Sequence, residues 1–175
     1  MKFFSDIRLL LLGIWLGAAV FFIGVAQSAF AVLPQRDLAG AVVNRSLTIL
    51  NFAGIAIAVI LIVTSLLSAS KVNQLWLWVE RFLLLIVAAT CAVGQFAIGL
   101  WMASIRMQIG KPIDELAADD PLRLQFDTLH TYSQWVLMIG MFAALLAFFI
   151  ISNRKFRPLK EVGADVYDFK KEFKV

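Results

Sequence analysis

Four stretches without a charged side chain constrain this chain more than any other feature. Between Arg8 and Arg36 lie 27 uncharged residues, between Arg45 and Lys71 there are 25, between Arg81 and Arg106 there are 24, and between His130 and Arg154 there are 23. An α-helix rises about 1.5 Å per residue, so about 20 apolar residues cross the hydrocarbon layer of a bilayer. Each run is therefore long enough to span with some tilt. A membrane β-barrel would instead show short segments of alternating polarity, and none occur. The chain reads as an all-α integral membrane bundle of four transmembrane helices, with spans at about 9–33, 46–69, 77–105 and 131–152. One domain covers 1–153, and a basic tail covers 154–175. Composition agrees: 61% of the residues are apolar and 16% charged, against roughly 45–50% and about 25% in a soluble domain. A disordered chain, a collagen, a secreted disulfide framework and an ordinary cytosolic enzyme are excluded on the same ground.

The first run has some features of a cleaved secretory leader, with Lys2 ahead of it and Ala29-Phe30-Ala31 near its end. Its apolar stretch far exceeds the roughly 7–15 residues of a leader's core, so a retained helix is expected.

Lysine and arginine placement sets an orientation. One side of the four spans holds Lys2, Arg8, Lys71, Arg81 and the seven basic residues of the tail, 11 in all; the other holds Arg36, Arg45, Arg106, Lys111 and Arg123, 5 in all. Positive residues are retained in the cytoplasm, so both termini are expected there, in a multi-pass protein of the cell membrane. The formal net charge of +4 is an average over a basic inner face and a mildly acidic outer one. It points to anionic lipid headgroups as partners and gives no argument for nucleic acid. Trp76, Trp78 and Trp101 fall near the ends of the third span, where interfacial aromatics sit. Cys91 is the single cysteine. It cannot form an intramolecular disulfide, and apolar surroundings would leave it inert.

Pro34 should end the first helix, with 35–46 as a short outer turn containing the sequon Asn44-Arg45-Ser46. That sequon is a common chance match and sits against the bilayer. Lys111-Pro112 should break the third helix, and Asp120-Pro121 should start the fourth as N-cap and first helical residue. In the tail, Leu159, Val162, Val166, Phe169 and Phe173 recur at steps of three or four. That spacing draws the apolar stripe of an interfacial amphipathic helix; Gly163 weakens it, and a frayed basic tail is the alternative. Gly13 with Gly17, and Gly24 with Ser28, form small-xxx-small pairs, the signature of close helix packing in lipid. The partner could be internal or another subunit.

No charged residue is expected within the spans, Glu80 and Arg81 being placed where both can reach the interface. Pumps, ion pathways and voltage sensors depend on ionisable groups near the midplane, so these functions are disfavoured. The sharpest polar pattern lies on the fourth helix, where Arg123, Asp127, His130 and Gln134 are spaced four, three and four apart. Such spacing places them along one face. Arg106 could approach that face at the outer mouth of the bundle, and a contact from Asp127 to Arg106 or Arg123 would be charge-assisted. His130 admits two readings: a ligand for haem or metal or a proton carrier, or a buried histidine tying helices together. With one histidine and one cysteine, the chain has few ligands for a metal site. Met102, Met107, Met138 and Met141 could serve soft copper, but methionines on helices more commonly fill core gaps. No metal ligand set and no cofactor is assigned. Phosphate-loop and nucleophile-elbow motifs are also absent. Asp119 and Asp120 before a proline read as a cap rather than an acid–base pair, so no catalytic role is expected.

The stretch 122–133, LRLQFDTLHTYS, with the preceding PIDELAADDP, resembles the transmembrane protein 205-like family, whose bacterial members carry domain of unknown function 4149. Phe126, Leu129, His130 and Ser133 match its pattern there. Gly13-Ile14-Trp15-Leu16-Gly17, Phe21-Phe22 and Phe30 are similar to its opening helix, Ala39-Gly40 to the small pair that follows, and Arg106 to the arginine closing its third helix. The chain departs from the family at Leu137, where many members have asparagine. The resemblance implies four membrane helices and no established activity. Two functions are carried forward. One is a non-enzymatic packing, scaffold or accessory subunit, homo-oligomeric or joined to other membrane subunits. The other is a small-molecule, lipid or haem/metal-handling protein with a polar site at Arg106, Arg123, Asp127, His130 and Gln134.

Overall fold

The computed structural model describes residues 2–67 and 74–153. Its elements are α1 (Lys2–Val32), α2 (Arg36–Leu67), α3 (Gln74–Ala92), a π-helical segment (Val93–Gly99), α4 (Leu100–Ile109), a single 3-10 turn (Ile113–Glu115) and α5 (Pro121–Ser152). The segment from α3 through α4 runs on as one rod, so the chain forms four rods, each long and apolar enough to cross a membrane. In lipid a backbone must satisfy its own hydrogen bonds, and helices do so within each segment. The protein is a four-helix integral membrane bundle.

The helix ends follow from local chemistry. Proline at position 34 stops α1, but nothing after it opposes a new helix, and Asp37 complements the positive end of the dipole. Accordingly α2 begins at Arg36, and the stretch expected as an outer turn is its first three turns. The sequon Asn44 lies inside this helix. Gly110 closes α4 in the left-handed conformation, φ 65°, donating its N–H to the Arg106 carbonyl, a geometry that glycine reaches without steric cost. The expected start of α5 is observed: Pro121 is the first helical residue and the Leu122 N–H donates to Asp120 Oδ1 at 2.8 Å.

Consecutive rods run antiparallel. α1 and α3 each pack against both α2 and α5, which makes an up-down-up-down bundle with α2 and α5 on one diagonal. The main core takes Leu12, Trp15 and Ala19 from α1, Leu50, Ala58 and Leu61 from α2, Leu84, Val87 and Cys91 from α3, and Ala143, Ala144 and Ala147 from α5. A smaller cluster of Ile98, Ile105, Phe126 and Leu129 fills the end where α4 finishes and α5 begins. Many large apolar residues, among them Phe21, Trp78, Phe82 and Phe142, lie exposed around the outside, as a lipid-facing surface requires.

Close approach is set by glycines other than those expected. A Cβ on Gly54 would lie 2.6 Å from Cys91 Sγ and 2.7 Å from Trp15 Nε1, and one on Gly140 would lie 2.6 Å from Thr90 Oγ1. Of the expected set, only Gly13 faces another helix of the chain, where a Cβ would stand 3.6 Å from Phe148, whereas Gly17 and Gly24 have nothing within 4 Å. Ser28 is exposed as well. The amphipathic helix expected after Pro158 and the connection around Lys71 lie outside the described residues.

Candidate functional site

The five residues expected at the outer mouth do not line one pocket. Phe126 and Leu129 take the inward face of α5. Asp127 and His130 each follow one of them in sequence, about 100° further round the helix, and with Gln134 they are exposed. His130 and Gln134 are brought together, with their Nε2 atoms 3.2 Å apart. Arg123 instead donates to the Leu116 carbonyl at 2.8 Å, pinning the connection ahead of α5. Arg106 lies over the Phe126 ring, 5.1 Å from its centroid, and its guanidinium occupies the space that a Cβ on Gly40 would need. The Arg106 Nε is buried without a hydrogen-bond partner among the described residues. Asp127 is exposed and forms no ion pair among the described residues.

At the opposite end, where α1 begins and α5 ends, the structure corrects the expectation that the spans hold no buried charge. Arg8 and Glu80 are buried, at 4% and 0% exposure. Arg8 Nη2 donates to Glu80 Oε1 and, at 2.8 Å, to the Leu61 carbonyl. Arg81 Nε donates to Ser65 Oγ at 2.9 Å and its Nη2 to the Ser65 carbonyl at 3.0 Å. One ionic cluster thus ties α1, α2 and α3. Arg8 and Glu80 each lie six residues inside their helix starts, about 9 Å in at 1.5 Å per residue. Residue phase carried the signal that sequence reasoning missed: Glu80 falls in step with Leu77, Leu84, Val87 and Cys91, and Arg8 with Leu12, Trp15 and Ala19. Chemically the cluster is a charge pair shielded from water, a fastening rather than a nucleophile or a metal ligand set.

A third polar locus lies between these ends. A cavity with about 10 Å³ open to the centre of a water-sized molecule is lined by Trp15, Leu47, Asn51, Thr90, Cys91, Gly94, Ser133, Val136 and Leu137. Asn51 is 4% exposed. Gly94, in the π segment, lets its amide approach; a Cβ there would stand 3.4 Å from Asn51 Nδ2. Trp15 Nε1 donates to the Leu50 carbonyl at 3.0 Å, and Thr90 Oγ1 to the Ile86 and Val87 carbonyls. Ser133, part of the motif noted on α5, therefore lies on the inward side, and so does Leu137 at the position of the family departure. Among the described residues, no three His, Cys, Asp or Glu side chains cluster closely enough to hold a metal ion.

Comparison with known proteins bears on the helices that build all three loci. No curated protein and no solved structure matches the chain. A family model does match, over residues 10–111, from the third turn of α1 to just past α4. Helix α5, with the outward stripe, lies beyond the matched segment. Since the match takes in more than half of the chain, the protein belongs to the family described as Domain of unknown function (DUF4149).

Proposed function

We propose that the protein is a non-enzymatic interaction subunit of the cell membrane, packing against a second copy or another membrane subunit, with both termini cytoplasmic. One observation carries this reading: Gly17, Gly24 and Ser28 lie on the outside of α1, and among the described residues nothing beyond the helix itself comes within 4 Å of where a Cβ on either glycine would be. Small residues facing outward offer lipid little, but they let a second helix approach closely enough for packing to drive association. Polar groups support the same reading. His130 and Gln134 on α5 and Gln27 on α1 are also exposed, on neighbouring helices at the same end of the bundle. A partner helix would supply them with hydrogen bonds that hydrocarbon cannot. The placement of the termini rests on the 11 to 5 division of basic residues. Blue-native electrophoresis of gently solubilised membranes tests the proposal: the parent is expected in a higher-mass species, and Gly17→Leu/Gly24→Leu should shift it to the monomer. A monomeric parent in native lipid would refute it.

A second reading is favoured by Arg106, whose guanidinium makes no hydrogen bond among the described residues and lies over Phe126 beside Gly40. An arginine left free on an apolar floor suits a lipid phosphate. Mass spectrometry of lipids retained by the parent and by Arg106→Gln distinguishes this function, which requires the retained anionic lipid to fall in the variant.

A further inference from the structure

We infer that the cavity between α2, α3 and α5 is a specific binding site for a single water molecule, with Asn51 as its principal ligand and Ser133 and Thr90 completing it. The demand comes from Asn51. A primary amide carries two donors and an acceptor with two lone pairs, yet this one is 4% exposed and has no hydrogen-bond partner among the described residues. Bulk water cannot reach it inside hydrocarbon. A buried polar group without a protein partner is where ordered water is found, given room and two to four polar neighbours.

Both conditions are met. Space for about 10 Å³ of water-centre positions is close to what one water molecule requires and too little for anything larger. Three polar side chains from three helices face it: Asn51 from α2, Thr90 from α3 and Ser133 from α5. Thr90 spends its O–H on the carbonyls of Ile86 and Val87, so toward the cavity it can only accept. The Ser133 hydroxyl is half-buried and has no partner among the described residues, and can donate or accept. Trp15 Nε1 is committed to the Leu50 carbonyl and contributes only its apolar ring. Leu47, Val136 and Leu137 add apolar lining. No carboxylate lines the cavity, which argues against a cation. The bound water would join α2 to α5, the diagonal pair, through Asn51 and Ser133. It would thereby fix the rotational setting of both helices at the level where the third rod passes into its π segment.

Water-edited solid-state NMR on the full chain in bilayers tests the assignment. The Asn51 side-chain amide should receive magnetisation from water as fast as interfacial residues do, whereas neighbouring buried groups such as Val87 should not. Ser133→Val keeps the amide but removes its neighbour, and the early transfer to Asn51 should then be lost. Absence of transfer in the parent overturns the proposal. So does transfer that persists unchanged in a Ser133→Val protein with a parental backbone spectrum. If that variant does not fold, the parent measurement alone decides, with a slow Asn51 amide as the refuting result.

Discussion

Replacing Glu80 with leucine should be among the most damaging single changes the bundle can suffer. The carboxylate is fully buried and faces Arg8, which is 4% exposed and anchored to the Leu61 carbonyl. Among the described residues, Glu80→Leu would leave the guanidinium without a counter-charge, and its Nε and Nη1 are already buried there without hydrogen-bond partners. Removing one member of a buried pair costs about 3–5 kcal/mol, because the charge left behind is uncompensated. At about 1.4 kcal/mol per factor of ten, the folding equilibrium should shift by roughly two to three and a half decades. Replacing both members behaves differently, since buried pairs exchanged for well-packed apolar residues are commonly neutral or stabilising. Arg8→Met/Glu80→Leu should therefore recover most of the loss, to within about 1 kcal/mol of the parent. Reversible unfolding by steric trapping in bilayer-like discs would measure the parent, both single variants and the double variant. A Glu80→Leu cost below about 0.5 kcal/mol, the level of an ordinary surface change, would refute the argument. A double variant whose cost equals the sum of the singles would refute it too, because the two groups would then not be acting on each other.

Two further changes probe the packing. Gly54→Ala should cost about 1–3 kcal/mol by overpacking, since its Cβ would meet Cys91 Sγ at 2.6 Å; the same unfolding assay applies, with Gly13→Ala, whose Cβ would stand at an ordinary 3.6 Å from Phe148, as the control expected within about 0.5 kcal/mol of the parent. Trp15→Phe should cost about 1 kcal/mol for the lost bond to the Leu50 carbonyl, read by the same method and by a narrowed spread of tryptophan emission.

The number of helices was legible because it depends only on where charges are missing. Arg36, Lys71, Arg106 and Arg154 punctuate the chain whatever the packing. The start of α5 was legible for a similar reason: Asp120-Pro121 satisfies a helix end with side chains already adjacent in sequence. The outer turn was misplaced because a charge marks where hydrocarbon ends, not where a helix ends. Asp37 and Arg45 lie on helix that continues beyond the apolar run. Which glycines pack within the chain was not legible, because an i, i+4 spacing shows that two residues share a face without showing which face. Gly17 and Gly24 keep that spacing to their neighbours and still point outward, while Gly54 and Gly140, with Ala58 and Ala144 four residues on, make the tight contacts.

Which way a polar residue points is decided by its depth. In water an amphipathic helix turns its apolar side inward, but in lipid both sides are apolar and hydrophobicity orients nothing. Leu12 at the centre and Phe21 on the outside are equally acceptable to hydrocarbon. The orienting residues are then the few whose polar atoms cannot reach water. Asn51 lies 15 residues inside α2, where turning outward would strand it in lipid, and it is buried, while Glu80 and Ser65 are buried nearer their helix ends because they face Arg8 and Arg81. His130 lies near the end of the apolar run and can stay outside at little cost, so Phe126 and Leu129 take the inward face. The same logic reverses the weight given to the two polar patterns in the sequence. The regular stripe Asp127, His130, Gln134 catches the eye and faces outward, whereas single polar residues in phase with leucines, Glu80 after Leu77 and Asn51 before Gly54, mark the interior of the bundle.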